Sequence, residues 1–492
     1  MISRAIFYFL LVGLNLTGLF AQMHLAALEH GSFMKRYDFR EVIPDDLISS
    51  DYIVVQDIEF EGNNATRQHI LYRELVFSQG DTIAREDLSR ILEQSRENLL
   101  NTSLFNFVNV SLFVHDFLPA ANVRFTFVER WYIWPFPIFE IAERNLNDWI
   151  KNPSFYRTNY GFYIVKENFR GRMERLSILA RAGYRQNYSI NYIIPYINQA
   201  QKLGLAFNVG INRRNEIEYL TQDNIQLFYS EDGVNALSHF YANSRILYRD
   251  GIYHTHNLSL GYNQYRFADS LLVLNPQFSP GSETRAPFFS IGYEFKNDHR
   301  DIRAYPLRGY YFDIRLRRQG LGLLRKEKMD MTTAETSVRR FWELSPRWFF
   351  AAGVNGKVSF GDFQPYYLQR GLGFKGDIVR GYENFVIDGQ HFAVFKSNFK
   401  YTLIPNTVTR IGFINNEKFS LIHYALYVNF FADIGFVRDT YFFQGNPYSN
   451  TPLGGAGIGL DLVTYYDKVF RTEFSVTRHG DVGVYLHLIA PI

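Results

Sequence analysis

The chain has 492 residues, and its 52 Lys and Arg nearly balance its 49 Asp and Glu, so no charge excess points to nucleic acid. It contains no cysteine, which excludes a disulfide framework, a thiolate metal site, a cysteine nucleophile and a lipoprotein anchor. Aromatic residues make up 17% of the chain, with 46 Phe and 34 Tyr, more than a soluble core requires.

Residues 1–21 combine a basic start at Arg4, an apolar stretch from Ala5 to Leu14 and a small residue, Ala21, at a cleavable position, the pattern of an export signal peptide. Asn15 and Thr17 interrupt the run, leaving it short for a bilayer crossing. No later stretch approaches the roughly 20 apolar residues of a membrane helix. An exported chain of this kind that enters a membrane must therefore do so as a closed barrel. Residues 22–50 mix polar and apolar positions without a period, end in Pro44, Asp45 and Asp46, and read as a tether.

Residues 51–131 read as one small α+β domain in the order strand, helix, helix, strand, strand. Ile53 to Phe60 is β-branched and apolar and ends at the turn Glu61, Gly62, Asn63, Asn64. Thr66 is placed to cap a helix from Arg67 to about Val76, and Gly80 with Asp81 makes the next turn. Leu88, Ile91, Leu92, Leu99 and Leu100 recur at helical spacing, leaving Arg85, Glu86, Arg90, Glu93 and Arg96 for water. Phe105 to Val114 and Val123 to Val128 then alternate at period two around a turn containing Pro119.

From residue 132 to 492 the chain becomes a series of segments with period-two alternation, each about ten residues long. Leu205, Phe207, Val209 and Ile211 alternate with Ala206, Asn208, Gly210 and Asn212; Phe395 and Phe399 alternate with Lys396, Asn398 and Lys400. Each strand alone suits a sandwich with a wet face or a barrel with a wet lumen. The strand number favours the barrel: about sixteen strands from near Ile133 to near Leu488 far exceed what one sandwich uses. Residues 213–235 and 362–389 are left as long loops. The expected fold is a mainly β, 16-stranded antiparallel transmembrane barrel. Trp131, Trp134, Trp342 and Trp348 are expected in one aromatic girdle.

Three further features carry two readings or none. Pro135 and Pro137 cannot donate ladder hydrogen bonds, so they mark either a weak seam at the start of the first barrel strand or a rigid join between domain and barrel. The run from Gly454 to Gly459 resembles a nucleotide loop only in its glycines; no helical pattern follows, and small residues in a barrel wall explain it. His254 and His256 lie two apart without a third ligand at suitable spacing, so neither metal nor cofactor is implied, and nothing suggests an enzyme.

Ile58, Phe60, Gly62, Asn63, Thr66, Ile70, Glu74, Leu75, Gly80, Asp81, Leu104, Phe105, Val108, Val110, Val128, Glu129 and Arg130 resemble a polypeptide-transport-associated (POTRA) domain. Val379, Arg380, Gly381 and Tyr382 are similar to the V-R-G-Y motif of the sixth extracellular loop in the Omp85 superfamily, the BamA and TamA group. Phe431, Asp433 and Gly435 are similar to its F-x-D-x-G strand motif. The resemblance spans roughly residues 52–492. It implies that the loop folds back into the lumen, where Arg380 pairs with Asp433. It also implies a protein of the Gram-negative outer membrane, its POTRA domain in the periplasm, that inserts or assembles β-barrel proteins by strand-edge capture and a lateral seam. The expected partners are the lipid bilayer, unfolded barrel or secreted polypeptide clients, and accessory outer-membrane lipoproteins. Two-partner polypeptide export and an accessory structural role in a larger complex are the alternatives. One POTRA domain where several are usual, and the ending Ala490, Pro491, Ile492 without a terminal aromatic residue, depart from the assembly pattern.

Overall fold

The computed structural model describes residues 34–38, 51–115, 118–141, 158–325, 327–374, 377–412, 420–464 and 466–488. The expected signal peptide lies outside them. The N-terminal domain consists of β1 (Met34–Asp38), β2 (Tyr52–Glu61), α1 (Gln68–Tyr72), β3 (Thr82–Ala84), α2 (Arg85–Asn101), β4 (Phe105–His115) and β5 (Ala120–Glu129). Its sheet runs β1-β4-β5-β2-β3, with only the β2–β5 pair parallel. Leu88, Leu92 and Leu99 form one stripe of α2 and bury it against Ile53, Val55, Val108, Phe125 and Phe127. Fully burying such a side chain contributes about 1.5–3 kcal/mol, so this stripe is what holds α2 to the sheet.

Three local expectations for this region are corrected. The segment read as a tether contains β1, which lies antiparallel on β4 from Met34 opposite His115 to Asp38 opposite Ser111. The outer edge of β4 presents backbone donors and acceptors that any extended segment can satisfy, so no side-chain period announces the pairing. That edge is therefore covered by the chain itself rather than open. The first helix is only Gln68–Tyr72, and Thr66 does not cap it: its hydroxyl donates to Glu129 at 2.7 Å instead. Thr82–Ala84 adds a short edge strand beside β2.

Sixteen further strands form one antiparallel sheet: β6 (Ile133–Ile141), β7 (Thr158–Phe169), β8 (Glu174–Gly183), β9 (Arg185–Ile194), β10 (Leu203–Arg214), β13 (Leu237–Asp250), β14 (His254–Phe267), β15 (Arg285–Asp298), β16 (Gly309–Gln319), β17 (Met331–Ser345), β18 (Trp348–Phe360), β19 (His391–Arg410), β20 (Leu421–Arg438), β21 (Pro452–Thr464), β22 (Lys468–Thr477) and β23 (Val482–His487). Each pairs with its neighbours in this order without crossover. The loop expected at residues 213–235 carries its own hairpin, β11 (Glu216–Gln222) with β12 (Ile225–Ser230), and α3 (Asp269–Leu274) lies between β14 and β15.

Exposure along the strands separates barrel from sandwich. Phe395 and Phe399 of β19 are 43% and 38% exposed, whereas Lys396 and Asn398 between them are 3% and 0% exposed. Phe207, Val209, Leu258, Leu260, Ile458 and Phe474 face outward in the same way, while Asn429, Asp461 and Glu473 are buried. A water-soluble sandwich would reverse this assignment; an apolar exterior around a polar interior suits lipid.

The sheet also curls onto itself. The N-terminal domain touches turns along its whole length: Arg67 N–H donates to the Gly171 carbonyl, His69 meets the Tyr196 hydroxyl at 2.6 Å, Asn101 donates to the Asp301 carbonyl and Arg130 to Asp467. These turns follow β7, β9, β15 and β21, so the first and last quarters of the sheet meet the same small body. Trp134 of β6 packs edge-on against Tyr466, just ahead of β22, at 5.1 Å. Trp131, Trp134, Trp342 and Trp348 all lie toward this end of the strands, where Trp342 stacks on Phe350 and Trp348 on Phe399.

Candidate functional site: an arginine-anchored loop within the barrel

The connection between β18 and β19, residues 361–390, turns inward. A bridge between Leu372 and Ile387 closes its neck, and Leu372, Val379, Tyr382 and Ile387 bury against Val394, Val437 and Leu453 of the wall. This apolar contact holds the four residues from Val379 to Tyr382 at depth. Gly381 has φ +100°, a conformation that glycine takes without strain.

Arg380 and Asp433 meet there with no solvent exposure of either side chain. The Arg380 Nε and Nη2 donate to the two carboxylate oxygens at 2.8 and 2.5 Å, and the Arg380 backbone N–H adds a third bond at 3.1 Å. Nη1 donates to Asn398 Oδ1 at 2.6 Å, Nη2 also to the Ser397 carbonyl at 3.1 Å, and the guanidinium carbon lies 4.0 Å above the Phe431 ring. Phe431 and Asp433 of β20 thus supply a cation–π face and a carboxylate fork, both matched to a planar guanidinium. Gly435, two residues on, leaves room for Val379: a Cβ built there would stand 2.4 Å from its Cγ2.

The glycine run read as wall residues is β21 itself. A Cβ at Gly455 would stand 1.8 Å from the Arg380 carbonyl oxygen, one at Gly457 2.6 Å from the Phe431 ring, and one at Gly459 2.7 Å from Asn429. These absent side chains form the cradle in which the loop rests.

A second buried network, which sequence reasoning missed, lies deeper toward the N-terminal domain. Arg471 donates to both oxygens of Asp461 at 2.6 and 2.7 Å, and Asp461 also accepts from Asn429 and the Tyr305 hydroxyl. Glu473 joins the two networks, its Oε1 lying 3.4 Å from Arg380 Nη1 and 3.5 Å from Arg471 Nη1. The available signal was parity: Arg471, Glu473 and Ser475 alternate with the apolar Phe470 and Phe474 on β22, but the Asp461–Arg471 pairing depends on register.

Pro135 and Pro137 lie on β6, opposite Ile164 and Phe162 of β7. Residues two apart point their backbone groups to the same side of a strand. Since the β7 ladder is continuous from Ile133 to Ile141, the missing donors fall on the edge of β6 that faces away from β7. The prolines do not approach Arg380's motif in sequence or pairing, so loop and edge are separate features.

The far mouth is roofed. The β11–β12 hairpin, α3 and residues 365–368 share a cluster built on Phe267, Phe278, Phe288, Tyr366 and Phe442. At the hairpin tip, Asn224 accepts from the Val386 N–H at 2.9 Å and its own N–H donates to Asn446 at 2.9 Å, tying the roof to the inward loop.

At the opposite end Glu74, buried in the N-terminal domain, accepts two bonds from Arg249 at 2.6 Å each. Burial by itself would raise the Glu74 carboxyl; hydrogen bonds and charge from Arg249, with Arg73, hold it below its usual range. Glu97 behaves oppositely. Burial first, then the nearby Asp301 carboxylate, outweigh the opposing Arg308 and Arg96 and push it up to about 7.

The Omp85 superfamily domain matches residues 168–466, well over half of the chain, and POTRA, described as a surface antigen variable number repeat, matches residues 53–130. No curated protein sequence matches. Among solved structures, CdiB from Escherichia coli aligns at 12% identity over 88% of this chain and 75% of its own, with a TM-score of 0.50. BamA from Haemophilus ducreyi lacking POTRA domains 1-3 aligns at 15% identity over 88% and 83%, with a TM-score of 0.47.

Proposed function

Since the chain belongs to the Omp85 superfamily, we propose that it is an outer-membrane β-barrel that inserts or assembles other β-barrel proteins through a lateral opening between β6 and β23. The observation that carries this reading is the outward edge of β6, which lacks two backbone donors at Pro135 and Pro137. A strand pairing with that edge loses ladder bonds there, and β23 spans only six residues, so any pairing between the two end strands is short and incomplete. An incoming client strand gains main-chain bonds at either edge with little demand on its sequence. No covalent chemistry is required. In this reading the POTRA domain lies in the periplasm, its clients are unfolded barrel precursors, and accessory lipoproteins dock nearby. Capture on β4 proceeds with release of β1, which occupies that edge.

Two-partner export is the second reading, and the polar interior favours it: Asn398, Asn429, Asp461 and Glu473 would line a wet passage once the loop withdrew. Depletion of the protein followed by profiling of the outer membrane separates the two. Loss of many barrel proteins supports assembly; loss of a single secreted client with barrels intact supports export. An unchanged profile overturns both and leaves an accessory role.

A further inference from the structure

Beside the Arg380 network three side-chain atoms without a hydrogen bond converge: Glu383 Oε1 from the inward loop, Glu473 Oε2 from β22 and His487 Nε2 from β23. All three lie within 4.8 Å of one another. His487 Nε2 is 3.2 Å from Glu473 Oε2 and 3.7 Å from Glu383 Oε1, near enough for attraction but misaligned for a hydrogen bond. Glu473 is fully buried, and the Glu383 and His487 side chains are 10% and 15% exposed.

Each carboxylate is already oriented by its other oxygen. Glu473 Oε1 faces Arg380 and Arg471, and Glu383 Oε2 accepts from the Gly381 N–H at 2.8 Å. Such outer contacts are what aim ligand atoms at a metal. The arginines are engaged elsewhere: Arg380 pairs with Asp433 and Arg471 with Asp461, and both reach Glu473 only through Oε1. Glu383 Oε1 and Glu473 Oε2 are left without a donor, and a buried acceptor of that kind is costly unless a cation or proton meets it. Metal–ligand bonds of about 2.0–2.2 Å in a tetrahedral site place donor atoms roughly 3.3–3.6 Å apart, close to the two separations at His487.

We propose that Glu383, Glu473 and His487 form a binding site for a divalent transition-metal ion. One imidazole with two carboxylates suits Zn2+. The bound ion would tie the inward loop to the last two strands and so stiffen the wall beside β23. The competing occupant is a proton: His487 as imidazolium between the two carboxylates. This inference stands on the cluster alone and holds whichever client reading is correct.

The test uses untagged full-length protein in detergent, stripped with a chelator, freed of it, and titrated with Zn2+. Expected is one saturable ion per chain, with X-ray absorption showing one imidazole nitrogen and carboxylate oxygens. His487→Gln and Glu383→Gln should each lower affinity by about tenfold or more, while His256→Gln, on the outer face of β14, binds as the parent does. Heat-dependent gel mobility checks that each variant is folded; if one is not, the absorption spectrum of the unaltered protein decides. No saturable binding, undiminished binding in both site variants, or a spectrum without an imidazole nitrogen would overturn the proposal in favour of the imidazolium.

Discussion

Arg380 directs its guanidinium to Asp433, Asn398, the Ser397 carbonyl and Glu473, so its fork is committed to the wall. Removing one member of a buried pair leaves the other charged and unpaired, at a cost of about 3–5 kcal/mol. Arg380→Ala and Asp433→Ala are each expected to release the loop, seen as faster proteolysis between residues 361 and 390 and an earlier loss of the folded gel band. The double variant should lose clearly less than the sum, because the two residues act through one contact; strict additivity would count against that coupling. Gly455→Val tests the cradle. Its side chain would occupy the place of the Arg380 carbonyl, so the loop should be released although every charged group remains. Unchanged proteolysis in this variant would show that β21 does not set the loop's depth.

At the scale of elements, docking of the POTRA domain on the barrel rests on ion pairs of unlike character. Glu74 with Arg249 is buried and bidentate, and Arg249→Ala should leave that carboxylate with Arg73 alone and loosen the domain. Glu97 supplies a pH dependence. Its carboxyl is pushed up to about 7 when docked, in part by Asp301 of the barrel, so docking favours the protonated form. Its contribution is full below about pH 4.5 and is lost as the pH rises through about 7. Hydrogen exchange at the end of α2 should accordingly quicken between pH 5 and 8 beyond the intrinsic rate, roughly within the window set by that shift, and Glu97→Gln should flatten the excess. A variant with the same excess would place its origin elsewhere. Deleting residues 34–38 should expose β4 amides and strengthen binding of an extended peptide to the domain.

For the whole molecule the question is whether the cylinder opens. On the proposed reading, two prolines on the outer edge of β6 and a six-residue β23 would make the end strands the weakest part of the wall. Amides of β6 and β23 are expected to exchange faster than those of β13 and β14, which are paired along nearly their whole length on both sides. Slow exchange throughout β6 would leave Pro135 and Pro137 as a rigid join between domain and barrel.

Much of this was legible in the chain itself. Period-two alternation over sixteen segments is a local property, and with apolar residues turned to lipid it specifies strand, face and count before any contact is known. V-R-G-Y and F-x-D-x-G likewise carried their side-chain chemistry in sequence: a planar cation, a fork to receive it, and glycine where the backbone must turn or approach. What was not legible depended on partners distant in the chain. The pairing of Met34–Asp38 with β4 uses only main-chain groups, and Thr66 caps no helix because its hydroxyl donates to Glu129, 63 residues away, and accepts from Asn168. Asp461, Arg471, Glu473 and His487 are unremarkable polar residues until register and curvature bring them into one interior. Only the curled sheet with its inward loop excludes water from them, and that exclusion gives their charges their consequence.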